Sequence, residues 1–206
     1  MLRGAATTYT RTMSAPQEPP VPIRIETERL ILRPFTLTDV DDVTAYQSVE
    51  ECVRYVPFNV RSRDEVLAAF ERQRPSDHIT EPGNFFILGM ELKATGHVIG
   101  QVNLGFEAAS PKTASFGYLT HNEYWRQGFT REAVTALLDY AIGVEHIEQF
   151  TAVIVDQNEA SIRLAESLGM HFTGSRPDPE SPCTTAEREL LNDYTMSAAT
   201  WLANRE

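Results

Sequence analysis

Cysteine is nearly absent. The 206 residues hold Cys52 and Cys183 alone, too few and too far apart for a disulfide framework or a thiolate metal site, and suited to a reducing cytoplasm. The five histidines, His78, His97, His121, His146 and His171, show no ligand spacing, so no metal is expected. No apolar run approaches the roughly 20 residues that span a bilayer, so no membrane partner is expected either. Basic residues are in deficit: 18 Lys and Arg stand against 29 Asp and Glu, a net charge of −11. Nucleic acid is gripped by basic surfaces, which argues against it as a partner. A cationic substrate fits better: acidic groups at Asp39, Asp41 and Asp42, at Glu50 and Glu51, and at Asp178, Glu180 and Glu187 either steer an amine or simply solubilise the surface. Acid is also missing from Met1 to Gln17, and Pro16, Pro19, Pro20 and Pro22 follow. Residues 1–22 therefore read as a disordered extension, with Met13 a second candidate start, ahead of one domain over 23–206. Repeats are lacking too.

What is present is a strand, a glycine turn and a helix in succession. Ala114, Phe116 and Tyr118 alternate with Ser115, Gly117 and Leu119 as in a two-faced strand. Val134, Leu137, Leu138 and Ala141 form one stripe of a helix. Between them lies Tyr124-Trp125-Arg126-Gln127-Gly128-Phe129-Thr130-Arg131. A helix start directs unpaired N–H groups and a positive dipole end at whatever lies beyond it, which suits a phosphate. Gly128 permits close backbone approach, and Arg126 and Arg131 add cations. A second unit of this kind follows: the β-branched run to Val155, Asn158 as N-cap, a helix, and Gly169 as stop.

The pattern predicts strands Arg29–Arg33, Phe85–Leu92, Val98–Phe106, Ala114–Thr120 and Phe150–Val155, with short closing strands His171–Thr173 and Arg188–Met196. Helices are predicted over Asp39–Val49, Asp64–Gln73, Thr130–Ile142 and Glu159–Leu168, and a loop over Gly174–Ala186. This is a mixed α/β layer.

In this order the chain resembles the GNAT superfamily of acetyl-CoA-dependent N-acetyltransferases, and most closely its RimJ/RimL branch, whose type members acetylate ribosomal-protein N-termini. The resemblance rests on Glu28-Arg29-Leu30-Ile31-Leu32-Arg33-Pro34, Thr38-Asp39, Gly96-His97-Val98-Ile99-Gly100, Phe116-Gly117-Tyr118-Leu119 with Gln127-Gly128, and Asn158, Ser161 and Leu168-Gly169. It implies an acyl-CoA N-acyltransferase fold, with a mostly antiparallel sheet of about seven strands flanked by about four helices. It implies acetyl-CoA as cosubstrate, held by Leu119, Thr120, Trp125, Arg126, Gln127, Gly128, Phe129, Thr130, Arg131 and Asn158. The acceptor would be a primary amine, on a protein N-terminus or on a small molecule such as an amino acid, polyamine or aminoglycoside. The segments Tyr55–Phe58, Pro75–Asn84 and Gly174–Ala186 are candidates to wall its cleft. Edges on the closing strands make a homodimer a reasonable expectation.

Two departures from the family bear on chemistry. Thr130 stands where the turn usually ends in Gly or Ala, and its hydroxyl is a candidate phosphate donor. Ala165 occupies the position where many relatives carry a tyrosine that protonates the departing thiolate; in the RimJ/RimL branch a serine one turn earlier takes that part, and here it is Ser161. A thiol with a pKa of roughly 8.5 needs only modest help to leave. An α-amine with a pKa of about 8 needs less help from a base than a lysine at about 10.4. Glu91 and Glu123 are the candidate bases, although a loop carboxylate such as Glu123 reads more readily as a solvated charge. A backbone N–H near Leu119 or Thr120 is the candidate holder of the carbonyl oxygen. The competing reading is an acyl-CoA-binding regulatory module that has lost turnover.

Overall fold

The computed structural model describes residues 23–72, 85–178 and 190–204. The proposed N-terminal extension, the 75–84 segment and most of the 174–186 loop lie outside them, as do Cys183 and His78. The strands are β1 (Ile25–Glu26), β2 (Leu30–Arg33), β3 (Phe85–Leu92), β4 (Val98–Glu107), β5 (Ser110–Thr120), β6 (Gln149–Val155), β7 (His171–Pro177) and β8 (Leu190–Ser197). They form one sheet in the order β1-β2-β3-β4-β5-β6-β8-β7. Neighbours run antiparallel except β5 and β6, which are parallel and therefore need a crossover. Helix α4 (Phe129–Gly143) supplies it.

The parallel pair is short. Only Thr113–Ser115 pair with Gln149–Thr151. Beyond that β5 stays laddered to β4 as far as Thr120 opposite Gly100, and β6 stays laddered to β8 as far as Val155 opposite Leu191. The two halves of the twisted sheet thus diverge, each held by its outer neighbour, and open between β5 and β6.

Each face of the sheet buries a separate core. On one, α4 lays Val134, Leu137, Leu138 and Ala141, all fully buried, against Leu30, Met90, Phe116 and Phe150. This is the stripe expected from the sequence. On the other, α1 (Val40–Gln47), α2 (Glu50–Val53) and α3 (Arg63–Arg72) pack Val40, Val43, Tyr46 and Val66 over Val98 and Leu119.

The structure departs from the expected outline in four places. The helix expected over Asp39–Val49 is α1, Val40–Gln47, and it gains a 3-10 turn before it (Leu37–Asp39) and the short α2 after it. The break between α1 and α2 falls at Val49, whose backbone is extended (φ −97°, ψ 116°); a β-branched residue takes that conformation readily. Strand β7 continues into the stretch read as loop, because Ser175, Arg176 and Pro177 pair with Asn192, Leu191 and Leu190. Strand β1 is too short to show as a pattern. Finally, α6 (Ala198–Ala203) closes the described chain, capped by the Ser197 hydroxyl accepting from the Thr200 N–H at 3.0 Å. It is fastened by the indole N–H of buried Trp201 donating to Asp139 at 2.9 Å. Among the described residues the sheet therefore has eight strands rather than about seven, and six α-helical segments rather than about four; α5 (Glu159–Ser167) is the remaining one.

Asp39 ties the 3-10 turn to β2. It accepts from the Thr36 N–H at 2.7 Å and takes both arms of Arg33 at 2.7 and 2.9 Å. Burial pushes its carboxyl up, but Arg33 and Thr36 together hold it below the ordinary aspartate value. A carboxylate whose pKa is lower folded than unfolded contributes stability that is complete above the unfolded pKa and is lost as pH falls through the folded one. The urea midpoint is thus expected to fall between about pH 5 and pH 2, and Asp39→Asn to flatten that decline. An unchanged slope in the variant would rule out the Arg33–Asp39 pair as its source.

Candidate active site

Strand β5 directs its backbone groups in alternation, to β4 and to the opening. The Lys112 carbonyl, facing β6, accepts from the Glu148 N–H at 2.9 Å, whereas the His121 N–H donates to Ile99 of β4 at 2.9 Å. Alternation along an antiparallel ladder then sends Leu119 toward β4, and Phe116, Tyr118 and Thr120 toward the side where β6 has parted. The Thr120 carbonyl there accepts the Trp125 indole N–H at 2.7 Å. Of the two backbone positions singled out as carbonyl-oxygen holders, Thr120 therefore faces the opening and Leu119 does not.

Past β5 the chain makes a 3-10 turn over Asn122–Tyr124 and then bends through two left-handed residues, Arg126 (φ 60°) and Gly128 (φ 83°). Glycine adopts this conformation freely; for arginine it costs about 1 kcal/mol, a strain that collects at functional turns. Helix α4 starts at once. Its first intrahelical bond runs from the Glu132 N–H to the Gly128 carbonyl at 3.0 Å, which leaves the N–H groups of Phe129, Thr130 and Arg131 directed off the helix end. The Gln127 side chain ties the turn back to the Glu123 carbonyl at 2.8 Å. Arg126 is exposed and has no side-chain partner among the described residues. Arg131 is partly committed, donating to the hydroxyl and carbonyl oxygens of Ser167 at 3.0 and 3.3 Å. The Thr130 hydroxyl shares a 2.9 Å hydrogen bond with the Thr120 hydroxyl, which fastens the helix start to β5.

Across the opening, Asn158 caps α5: its side-chain oxygen accepts from the Ser161 backbone N–H at 3.2 Å. The Ser161 hydroxyl is left out of the cap and lies beside the phenol of Tyr118 on β5. Burial pushes that phenol above its ordinary pKa, and the Ser161 contact acts in the opposite direction. Ala165 is buried in the main core, so no hydroxyl reaches the opening from that position. Tyr118 escaped the sequence analysis as a site residue, although it lay within the alternation that defined the strand.

The two candidate bases part company. Glu91 is paired with Arg33 on β3, which lies two strands from β5 in the sheet, and the structure does not bring it to the opening. Glu123 stands directly beside the turn, exposed, its carboxylate without a partner among the described residues. On the α1 side, Gln101 of β4 accepts from the Tyr46 hydroxyl at 3.2 Å and from Gln47 at 3.1 Å, forming a buried polar cluster under the turn. The Tyr55 hydroxyl, in a segment expected to wall the cleft, reaches the Gln157 carbonyl between β6 and α5 at 3.3 Å.

A mixed sheet parted between the parallel strands β5 and β6, with a left-handed glycine turn at the start of the crossover helix, defines an acyl-CoA N-acyltransferase fold. Residues 29–171 match the family described as the acetyltransferase (GNAT) domain, and the chain belongs to that family. It is 27% identical over 150 residues to the uncharacterized N-acetyltransferase YoaA of Bacillus subtilis, covering 73% of this chain and 84% of that protein. An acetyltransferase of the GNAT family from Bacillus anthracis superposes with a TM-score of 0.73 at 19% identity, over 89% of this chain and all (100%) of that one. The spermidine N-acetyltransferase of Vibrio cholerae, solved with CoA and spermine, superposes with a TM-score of 0.69 at 17% identity, over 85% and 99%. The protein is an acyltransferase. No helix among the described residues is long and apolar enough to cross a membrane.

Proposed function

We propose that the chain transfers the acetyl group of acetyl-CoA directly to a primary amine in a ternary complex, and that it is of the RimJ/RimL type, with a protein N-terminal amine as acceptor. The observation that carries the donor site is the outward edge of β5 beside the Gly128 turn: a row of backbone donors meets a helix start, which fits a thioester arm followed by a diphosphate. Phe116, Tyr118 and Thr120 offer the edge. Gly128, Phe129, Thr130 and Arg131 offer the helix start, with Arg126, unpartnered among the described residues, as a cation and Trp125 fixing the corner.

The reaction forms a C–N bond and breaks a C–S bond. The amine loses its proton to Glu123, directly or through water, before attacking the carbonyl carbon. The departing sulfur takes a proton from the Ser161 hydroxyl beside Tyr118, and that proton is replaced by the second one the amine nitrogen sheds once the C–N bond has formed, so the serine ends neutral. Charge developing on the carbonyl oxygen is met by the Thr120 N–H. An N-terminal amine fits this sparse equipment because it is already partly neutral near pH 7.

A polyamine is the second reading, favoured by the net charge of −11 and by the likeness to a spermidine N-acetyltransferase fold. Homodimerisation has a candidate surface in β7, the edge strand that carries exposed Phe172. Amine-dependent release of CoA thiol separates the readings. Peptides with free N-termini should raise the rate at least tenfold over spermidine and over N-terminally blocked peptides. The reverse ranking would assign the small-amine substrate, and release by none of them would favour a binding module.

A further inference from the structure

We propose that Arg29 is a positioning residue for the donor site: it cancels the charge of Glu132 and holds it away from the place the diphosphate occupies. This rests on the donor-site reading above. Glu132 lies in the first turn of α4, close enough to repel a dianionic diphosphate within the screening length of about 8 Å. An unpaired carboxylate here would work against the dipole and the free N–H groups.

The structure shows how the conflict is resolved. One Glu132 oxygen accepts from the Arg29 backbone N–H at 2.8 Å and the Thr27 hydroxyl at 2.5 Å; the other accepts Arg29 Nε at 2.6 Å. A second arm of Arg29 donates to the Gln127 carbonyl at 3.0 Å, and the guanidinium stacks 4.1 Å from the Phe129 ring centroid. A Cβ on Gly128 would stand 3.4 Å from Arg29 Nη2. One side chain thus touches Gln127 and Phe129 and fills the space beside Gly128 between them, while neutralising the acid behind them. Burial pushes the Glu132 carboxyl up, yet the hydrogen bonds from Thr27 and Arg29 hold it below the ordinary glutamate value, so it stays charged and paired at neutral pH.

The test measures calorimetric affinity for acetyl-CoA and for S-acetylpantetheine, which keeps the thioester arm and lacks the diphosphate. Arg29→Met is expected to weaken acetyl-CoA at least tenfold and S-acetylpantetheine less than twofold. Adding Glu132→Gln to Arg29→Met should restore acetyl-CoA to within about threefold of wild type, because the uncancelled charge is then gone. If Arg29→Met fails to fold, Glu132→Gln alone decides: it keeps an acceptor for Arg29 and removes the charge, so acetyl-CoA should bind as well as before or more tightly. Equal weakening toward both ligands, no rescue in the double variant, or weaker binding by Glu132→Gln alone would reduce Arg29 to a brace and overturn the proposal. A wild-type chain that binds neither ligand would overturn the donor-site reading instead.

Discussion

Gly100→Ala is expected to lower stability by about 3 kcal/mol, about a hundredfold in the folding equilibrium. A Cβ at Gly100 would stand 2.5 Å from the Leu119 carbonyl oxygen, 3.0 Å from Thr120 Cα and 3.2 Å from Met90 Sδ. The methionine can swing aside; the two backbone atoms cannot. They belong to the last two rungs of the β4–β5 ladder, Gln101 opposite Leu119 and Gly100 opposite Thr120, so relief requires β5 to lift off β4 at the segment whose far edge is the opening. With a urea slope of about 2 kcal/mol per M, the midpoint should drop by about 1.5 M. Gly143→Ala is the matched control: it sits in the last turn of α4, a Cβ there meets nothing within 4 Å, and stability should hold or rise slightly. Equal midpoints for both variants would mean that β4 and β5 do not approach as closely as described.

Ser161→Ala is expected to lower kcat about a hundredfold, the usual scale for losing a proton donor in the transition state, while acetyl-CoA affinity stays within about threefold. The substitution is clean for a structural reason. The cap of α5 uses the Ser161 backbone N–H, which alanine retains, so the helix start and Asn158 stay in place. What disappears is the hydroxyl beside Tyr118. Weaker acetyl-CoA binding with unchanged turnover at saturation would remove Ser161 from the chemistry. Loss of both together would point to a shifted helix rather than a missing proton.

The parts of the fold legible in the sequence were those that local periodicity writes. Strand β3 begins and ends where alternation placed it, Phe85–Leu92, and α4 buries the stripe read from Val134, Leu137, Leu138 and Ala141. Gly128 and Gly169 do adopt left-handed backbones at the helix boundaries where a Cβ would be strained. What stayed hidden depends on partners far along the chain. Arg29 and Glu132 are 103 residues apart, and no window of sequence contains both. The same holds for Glu91: its place near a strand end suggested an available acid, but the antiparallel β2–β3 register, with Ile31 opposite Glu91 and Arg33 opposite Gly89, puts Arg33 on the diagonal within ion-pair reach. The parting of β5 from β6 is equally invisible, since neither strand changes character at Ser115; each merely keeps one neighbour and loses the other. Arg126 was legible as a cation beside the turn but not as a left-handed residue, because nothing in an arginine announces that conformation.

Both the catalytic role of Ser161 and the positioning role of Arg29 require the opening between β5 and β6 to be the acetyl-CoA site, and a calorimetric titration of the purified chain with acetyl-CoA tests it most directly. One molecule bound per chain, with affinity in the micromolar range and clearly lost when the left-handed Gly128 is replaced by valine, is the predicted result. No measurable binding, or binding indifferent to Gly128→Val, would contradict it.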